Sequence, residues 1–298
     1  MNEEIRDLIN RILDDPSDNI PIDLLRDLTD RLIESELYVP VDGEDIIHLG
    51  LGPGTFIPIS CDLDDFKIIF KDETPGLFSF EKLRDFLTPD VSGFAINYGG
   101  GQFILNRYLS ELAFNRNRPQ IEVSRGYDVK VRLNDFRPLT WRDLIIPENI
   151  TFMELDDILK TLWGFGGHHL SCFLLRKTKQ TIIDKGLADQ TMMGMDYDAN
   201  TTRVCEIFDK YNKVTYWYDF GDDWQFDIEV KKKIDYDKDY VTIKRFKGKY
   251  NPIEDIGGVY GLSDSDLEEY RQEFNMEYSQ LALERKVYVK SDWHGMDF

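Results

Sequence analysis

Residues 214–230, VTYWYDF-GDD-WQFDIEV, decide the fold class. Trp224, Phe226, Ile228 and Val230 alternate with Gln225, Asp227 and Glu229. That period of two sends successive side chains to opposite faces of a sheet. The Gly-Asp pair between the two runs supplies the backbone of a tight hairpin turn. Working outward, YDVKVRL (127–133) alternates Val129, Val131 and Leu133 with charged residues, and WRDLIIP (141–147) is a strand closed by proline. LSCFLL (170–175) and VTIKRF (241–246) add two more strands. TFMELDDILKTLWG (151–164) interrupts the strands as a helix, with Thr151 and Glu154 in capping-box positions. Phe152, Leu155, Leu159, Leu162 and Trp163 form its buried face, and Gly164 is a left-handed terminator. NPIEDIGGVYGL (251–262) holds too many turn formers to be regular, and residues 263–274 begin a final helix. In the tail, Trp293 and Phe298 suit a docking peptide.

The first part of the chain reads differently. Ile5, Leu8, Ile9, Ile12 and Leu13 form one apolar helical stripe, and Leu24, Leu25, Leu28, Leu32 and Ile33 form a second beyond a break at Pro16. Strand-like runs follow at 37–41, 46–51 and 56–60, with Gly-Pro-Gly at 52–54 as a turn. CDLDDFKIIF reads as a helix capped by Asp62, and FSFEKLRDFL as another. GFAIN (93–97) is a strand, followed by a glycine run and a helix ending in ELAF. The polar segment 115–125 marks a boundary, giving domains 1–118 and 119–298. Residues 1–118 carry 11 basic and 23 acidic side chains, net −12, and the remainder 25 and 33, net −8.

Composition bounds the function. With 42% hydrophobic residues in 298, the chain has material for buried cores, which excludes a disordered protein. The formal charge of −20 repels phosphate backbones, so nucleic acid is a disfavoured partner. No apolar run reaches the ~20 residues that span a bilayer, and the acidic, amphipathic start is unlike a signal peptide. Cys61, Cys172 and Cys205 form no CxxC pair, which suits a reducing cytoplasm.

Several segments carry a resemblance. WRDLIIP, the helix MELDDILKTLWGF leading into HHLSCF, the hairpin YDFGDDW, and PIEDIGG followed by YGL agree in order and spacing with the plasmid pRiA4b ORF-three-like family, also labelled a TnpR-type passenger. Departures are specific: Gly166 and Gly167 stand where the family usually has acidic residues. His169 fits the first signature histidine, Ser171 occupies the second position, and the cysteine common before Pro-x-Glu-Asp-x-Gly-Gly is missing. The resemblance implies a fold for residues 127–262 and no chemistry. LLRDLTDRLIESELYVPV, IPISCDLDDFKIIF and SGFAINYGGGQFILNRYLSELA resemble the N-terminal domain of the SseB family, which implies a structural or interaction role by analogy.

The richest polar constellation is His168, His169, Cys172, Asp219, Asp222, Asp223, Glu254 and Asp255. Imidazole, thiolate and carboxylate are divalent-metal donors, so convergence of the HHLSC, FGDDW and PIEDIGG loops would let His169, Asp222 and Asp255 hold an ion and activate a water. The competing reading is local: Asp222 and Asp223 shape the hairpin turn, Asp255 caps N–H groups of its own loop, and His169 is a hydrogen-bonded residue at a strand start. The sequence favours this second reading. The placing of Cys172 and Cys205 in or near apolar segments and the absence of a Gly-x-Ser-x-Gly elbow argue against nucleophilic catalysis. LGLGPG and YGGGQ lack the Lys-Ser/Thr of a phosphate loop. Lys244, Arg245, Lys247 and Lys249 form a basic patch that suits an exposed edge strand, offset by the neighbouring acidic run 235–240.

These readings make the protein α+β in two domains: a small SseB-like helix-flanked sheet and a mostly antiparallel sheet with a packed helix. The expected role is a cytoplasmic, non-catalytic interaction module with a protein partner and no membrane; no cofactor is predicted, and a divalent metal is the one alternative left open. The rival is a metal-dependent hydrolase or nucleic-acid-processing protein.

Overall fold

The computed structural model describes residues 2–15, 20–98, 101–188, 194–261 and 272–290. The chain divides into two units, Met1–Arg118 and Pro119–Phe298. In the first, helices α1 (Asn2–Leu13) and α2 (Ile22–Ile33) bury the apolar stripes through Ile5, Ile9, Leu25, Leu28 and Leu32. Leu13, last on the expected stripe, is 54% exposed because the helix ends on it. Strands β1 (Glu36–Asp42), β2 (Asp45–Ile46), β3 (Leu49–Leu51) and β4 (Gly54–Ser60) lead to α3 (Leu63–Ile69), β5 (Thr74–Ser79) and α4 (Phe80–Leu83). Strands β6 (Gly93–Tyr98) and β7 (Gly101–Asn106) and helix α5 (Arg107–Phe114) complete the unit.

The first sheet runs β2-β1-β4-β6-β7, with β3 on β4 and β5 on β1. Its β4–β6 pair is parallel, and the other described pairs are antiparallel. Asp62 caps α3 by accepting the Asp65 N–H at 2.7 Å. FSFEKLRDFL is not one helix: its start pairs with β1, Ser79 to Glu36 and Phe78 to Leu37, and ladder bonding there overrides helix propensity. The rings of Phe80, Phe94 and Phe114 pack together at 4.8–6.1 Å, centring this core.

The second unit contains β8 (Arg125–Leu133), β9 (Trp141–Pro147), α6 (Phe152–Trp163), β10 (Ser171–Leu175), β11 (Gln180–Ile183), α7 (Lys185–Ala188), β12 (Tyr197–Asp198) and α8 (Val204–Phe208). Then come β13 (Lys213–Tyr218), β14 (Trp224–Asp235), β15 (Thr242–Lys247), α9 (Gly258–Gly261) and α10 (Met276–Arg285). The sheet order is β12-β11-β10-β13-β14-β8-β9-β15, antiparallel apart from β11–β12 among the described pairs. Alternation in β14 places Trp224, Phe226 and Ile228 in the core against α6, where Trp163 meets Phe226 at 4.7 Å.

Helix α6 starts where Thr151 accepts the Glu154 N–H at 3.1 Å and stops where Gly164 turns left-handed at φ +72°. Glu154's own carboxylate stands 3.3 Å from Lys286 Nζ. The helix also buries Asp156 and Lys160, which periodicity assigns to water. Lys160 Nζ lies 2.8 Å from Asp156 and 3.1 Å from Asp157, and the Tyr216 hydroxyl donates to Asp156 at 2.7 Å. Of the expected helix at 263–274, residues 263–271 lie outside the described residues, as do Trp293 and Phe298, and 272–274 are not helical. Helix α10 begins at Met276, where Asn275 accepts the Tyr278 N–H at 3.0 Å. Among the described residues no helix is long and apolar enough to cross a membrane.

Candidate functional site

Three loops of the second unit meet at one end of its sheet: 165–170 after α6, 219–223 between β13 and β14, and 251–257 before α9. The first two are joined by backbone. The Asp219 N–H donates to Leu170 O at 2.9 Å, which extends the β10–β13 ladder by one rung and sets Asp219 beside His169. Glu254 braces the third loop: its Oε2 accepts the Gly166 N–H at 2.6 Å and its Oε1 accepts the Tyr218 hydroxyl. Burial and that hydrogen bond hold the Tyr218 phenol far above its ordinary pKa, so it stays a donor. Asp222 supplies a second brace, with Oδ2 accepting the Ile256 N–H and Oδ1 the Gly257 N–H, both at 3.1 Å. Farther along, the buried Arg142 donates to Asn251 Oδ1 and Lys247 O at 3.1 Å, its guanidinium 3.7 Å from the Phe274 ring centre.

The braces gather His169, Asp219 and Asp255. His169 Nε2 is 3.2 Å from Asp255 Oδ1 and 3.6 Å from Asp219 Oδ2, and one donor atom from each residue lies within 4.8 Å of the others. Ligands about 2.1 Å from a single cation stand about 3.0–3.5 Å apart, so two of these separations already approach that spacing. Asp219 is buried, and its Oδ1 accepts the N–H groups of Gly221 and Asp222 at 3.0 and 3.2 Å, which aims Oδ2 at the imidazole. The Asp255 side chain is 79% exposed, so the cluster opens to solvent. Asp219, Asp223 and Asp255 all adopt positive φ, 53°, 58° and 61°, a conformation that aspartate reaches more readily than most residues. One imidazole nitrogen and two carboxylates suit zinc or manganese, and the imidazole makes magnesium the poorer fit.

The remaining sequence candidates separate. Asp222 braces the loop in the role expected of Asp255, and Asp219 takes the place expected of Asp222 beside His169. Asp223 accepts from the Gln225 side chain at 2.6 Å. His168 is exposed, with its ring beside Gly166. Cys172 is buried opposite Trp217 in the ladder, where desolvation pushes its thiol up to about 12, and the same cause raises Cys61 to about 12. Lys244 and Arg245 lie on β15 at the sheet edge, 2.7 Å from Asp128 and Asp143, and Lys249 pairs with Glu273. Their partners come from neighbouring strands and loops, not from the adjacent run 235–240. Lys247 pairs in register with Trp141.

An α+β chain whose second unit holds an antiparallel sheet, one packed helix and three cross-braced loops is the class these features define. A profile described as plasmid pRiA4b ORF-3-like protein matches residues 125–291, more than half of the chain, and the protein belongs to that family. It is similar to the uncharacterized protein y4hQ of Sinorhizobium fredii, 24% identical over 138 residues that cover 46% of this chain and 69% of the relative. It is also similar to a crystal structure of a protein of unknown function from Methanosarcina mazei Go1, at 25% identity and a TM-score of 0.42 over 54% of this chain and 88% of that one. The resemblance of the first unit to the SseB N-terminal domain rests on its sequence pattern alone.

Proposed function

We propose that the second unit binds a divalent cation on His169, Asp219 and Asp255, and that the protein is a cation-dependent binding module rather than a covalent catalyst. The observation that carries this reading is the spacing of the three donor atoms, brought from three loops to within 4.8 Å of one another. The thiols of Cys61 and Cys172 are buried and protonated, which removes them as nucleophiles. A second reading, metal-assisted hydrolysis, draws support from the solvent-facing side of the cluster at Asp255, where a water on the cation would be accessible to substrate.

Calorimetric titration of untagged, chelator-treated protein tests the first reading. Zinc or manganese is expected to bind one site per chain, and His169→Ala or Asp219→Asn to weaken it by more than about tenfold. Asp223→Asn, outside the cluster, should bind as wild type does. No saturable binding to the wild type, or equal binding to all variants, overturns the site. Turnover of phosphoester or ester substrates that appears with the cation and vanishes in His169→Ala favours the hydrolytic reading over the binding module.

A further inference from the structure

One face of the second sheet is covered by cations held over buried carboxylates. Asp143, fully buried, lies 2.9 Å from Lys231, 2.7 Å from Arg245 and 3.8 Å from Lys130. Asp227 lies 2.8 Å from Lys213 and 3.1 Å from Arg132, and Asp128 lies 2.7 Å from Lys244. Three carboxylates thus organise six cations, and their own charge is withdrawn beneath the surface. The cationic ends face water, with Arg245, Lys213 and Arg132 side chains 67%, 53% and 48% exposed. Arg176 extends the face, donating to Thr215 and Gln225, while Glu229 is an exposed acid in β14 between them. A surplus of positive charge on a chain of −20 is a local reversal of the molecule's field.

We infer that this sheet face is a docking surface for an extended acidic polypeptide. Charge complementarity selects a polyanion, and the geometry selects the kind. Lys130 and Arg132 are two residues apart on β8, a repeat of about 7 Å, which an extended chain with a carboxylate at every second position shares. Single-stranded nucleic acid would need open aromatic rings on which bases stack. The two tryptophans of this face are engaged instead. Lys130 Nζ stands 4.1 Å from the Trp141 ring centre with the Arg245 guanidinium 5.5 Å from it, and Trp217 packs on Phe220 at 4.6 Å. The inference is independent of any cation at His169.

The probe is fluorescent poly-glutamate, followed by anisotropy on the full chain. Lys213→Gln/Lys231→Gln/Arg245→Gln removes three surface charges yet leaves one cation on each buried carboxylate: Arg132 on Asp227, Lys130 on Asp143 and Lys244 on Asp128. Lys67→Gln/Lys71→Gln/Lys82→Gln makes the same change of net charge in the other unit. Binding is expected at low ionic strength, to weaken as salt shortens the Debye length, and to fall about tenfold or more in the first triple variant while the second stays like wild type. Absence of saturable binding, equal loss in both variants, or tighter binding of oligo-dT than of poly-glutamate overturns the proposal. Circular dichroism and thermal unfolding of the triple variants identify a loss caused by misfolding. If the first proves misfolded, Lys213→Gln alone, which leaves Arg132 on Asp227, must weaken binding measurably for the proposal to stand.

Discussion

A β-carbon at Gly258 would stand 1.9 Å from the carbonyl oxygen of Asp222, and the residue holds φ at +69°. Both demands fall on the first residue of α9, directly after the loop that carries Asp255. Gly258→Ala is therefore expected to destabilise the protein by at least about 2 kcal/mol, from the left-handed backbone and the clash together. Because the displaced segment includes Glu254 and Asp255, cation affinity should fall in the variant even at temperatures where it remains folded. Thermal unfolding and calorimetric titration measure the two effects separately, and a variant with wild-type values in both would refute this account. At this scale the sequence was legible in part. Residue types named the loops and the His169–Asp255 pair, but they could not rank the carboxylates of DFGDD. Asp219 and Asp222 differ by backbone: Asp219 extends the ladder rung to Leu170 and so faces His169, whereas Asp222 points across to the N–H groups of Ile256 and Gly257. No local propensity distinguishes those two directions.

Helix α6 shows the same limit one level up. Its cap, terminator and apolar stripe follow from propensity and period, yet Asp156 and Lys160 sit inside, because Tyr216 reaches from β13 to donate to Asp156 and Lys160 pairs with Asp156 and Asp157. The Tyr216 contact is tertiary and invisible to a helical wheel. Strand β14 and its partners, by contrast, were readable because a period of two with one buried face admits a single register. Helix α10 has few apolar positions, and Asn275 rather than a periodic stripe sets its start. Burial at α6 has a titration consequence. Desolvation lifts the Asp157 carboxyl to about 6, outweighing the lowering by Lys160, and Asp156 adds to the rise. The ordinary value is 3.8, so between about pH 4 and pH 6 the folded state binds more protons than the unfolded chain. The contribution of this group to stability thus declines as pH rises through that window. Asp157→Asn, which cannot ionise, is expected to flatten that part of the decline in denaturant midpoints between pH 4 and pH 6. An unchanged slope would show that Asp157 does not titrate there.

For the molecule as a whole, charge is the dominant variable. Residues 1–118 contribute −12 of the −20, and like charges at that density destabilise compact states through self-repulsion. Monovalent salt screens this repulsion, so NaCl raised from about 0.02 M to about 0.2 M should increase the melting temperature, and the increase should be the same in wild type and in His169→Ala. A divalent cation adds a second term if it occupies the cluster. At tenfold its dissociation constant it contributes about 1.4 kcal/mol, a rise of about 3–6 °C for a unit of this size. The two terms separate by experiment, because screening depends on ionic strength whereas occupancy depends on His169 and Asp219. Manganese or zinc compared with NaCl at matched ionic strength is expected to raise the second unit's transition in the wild type and to leave it unmoved in His169→Ala and Asp219→Asn. If the divalent ion does no more than the matched NaCl in the wild type, the stabilisation is screening and the cluster is an imidazole held between two carboxylates with no cation. If the variants gain as much as the wild type, the ion binds elsewhere on the acidic surface, and the coordination assigned to these three residues is wrong.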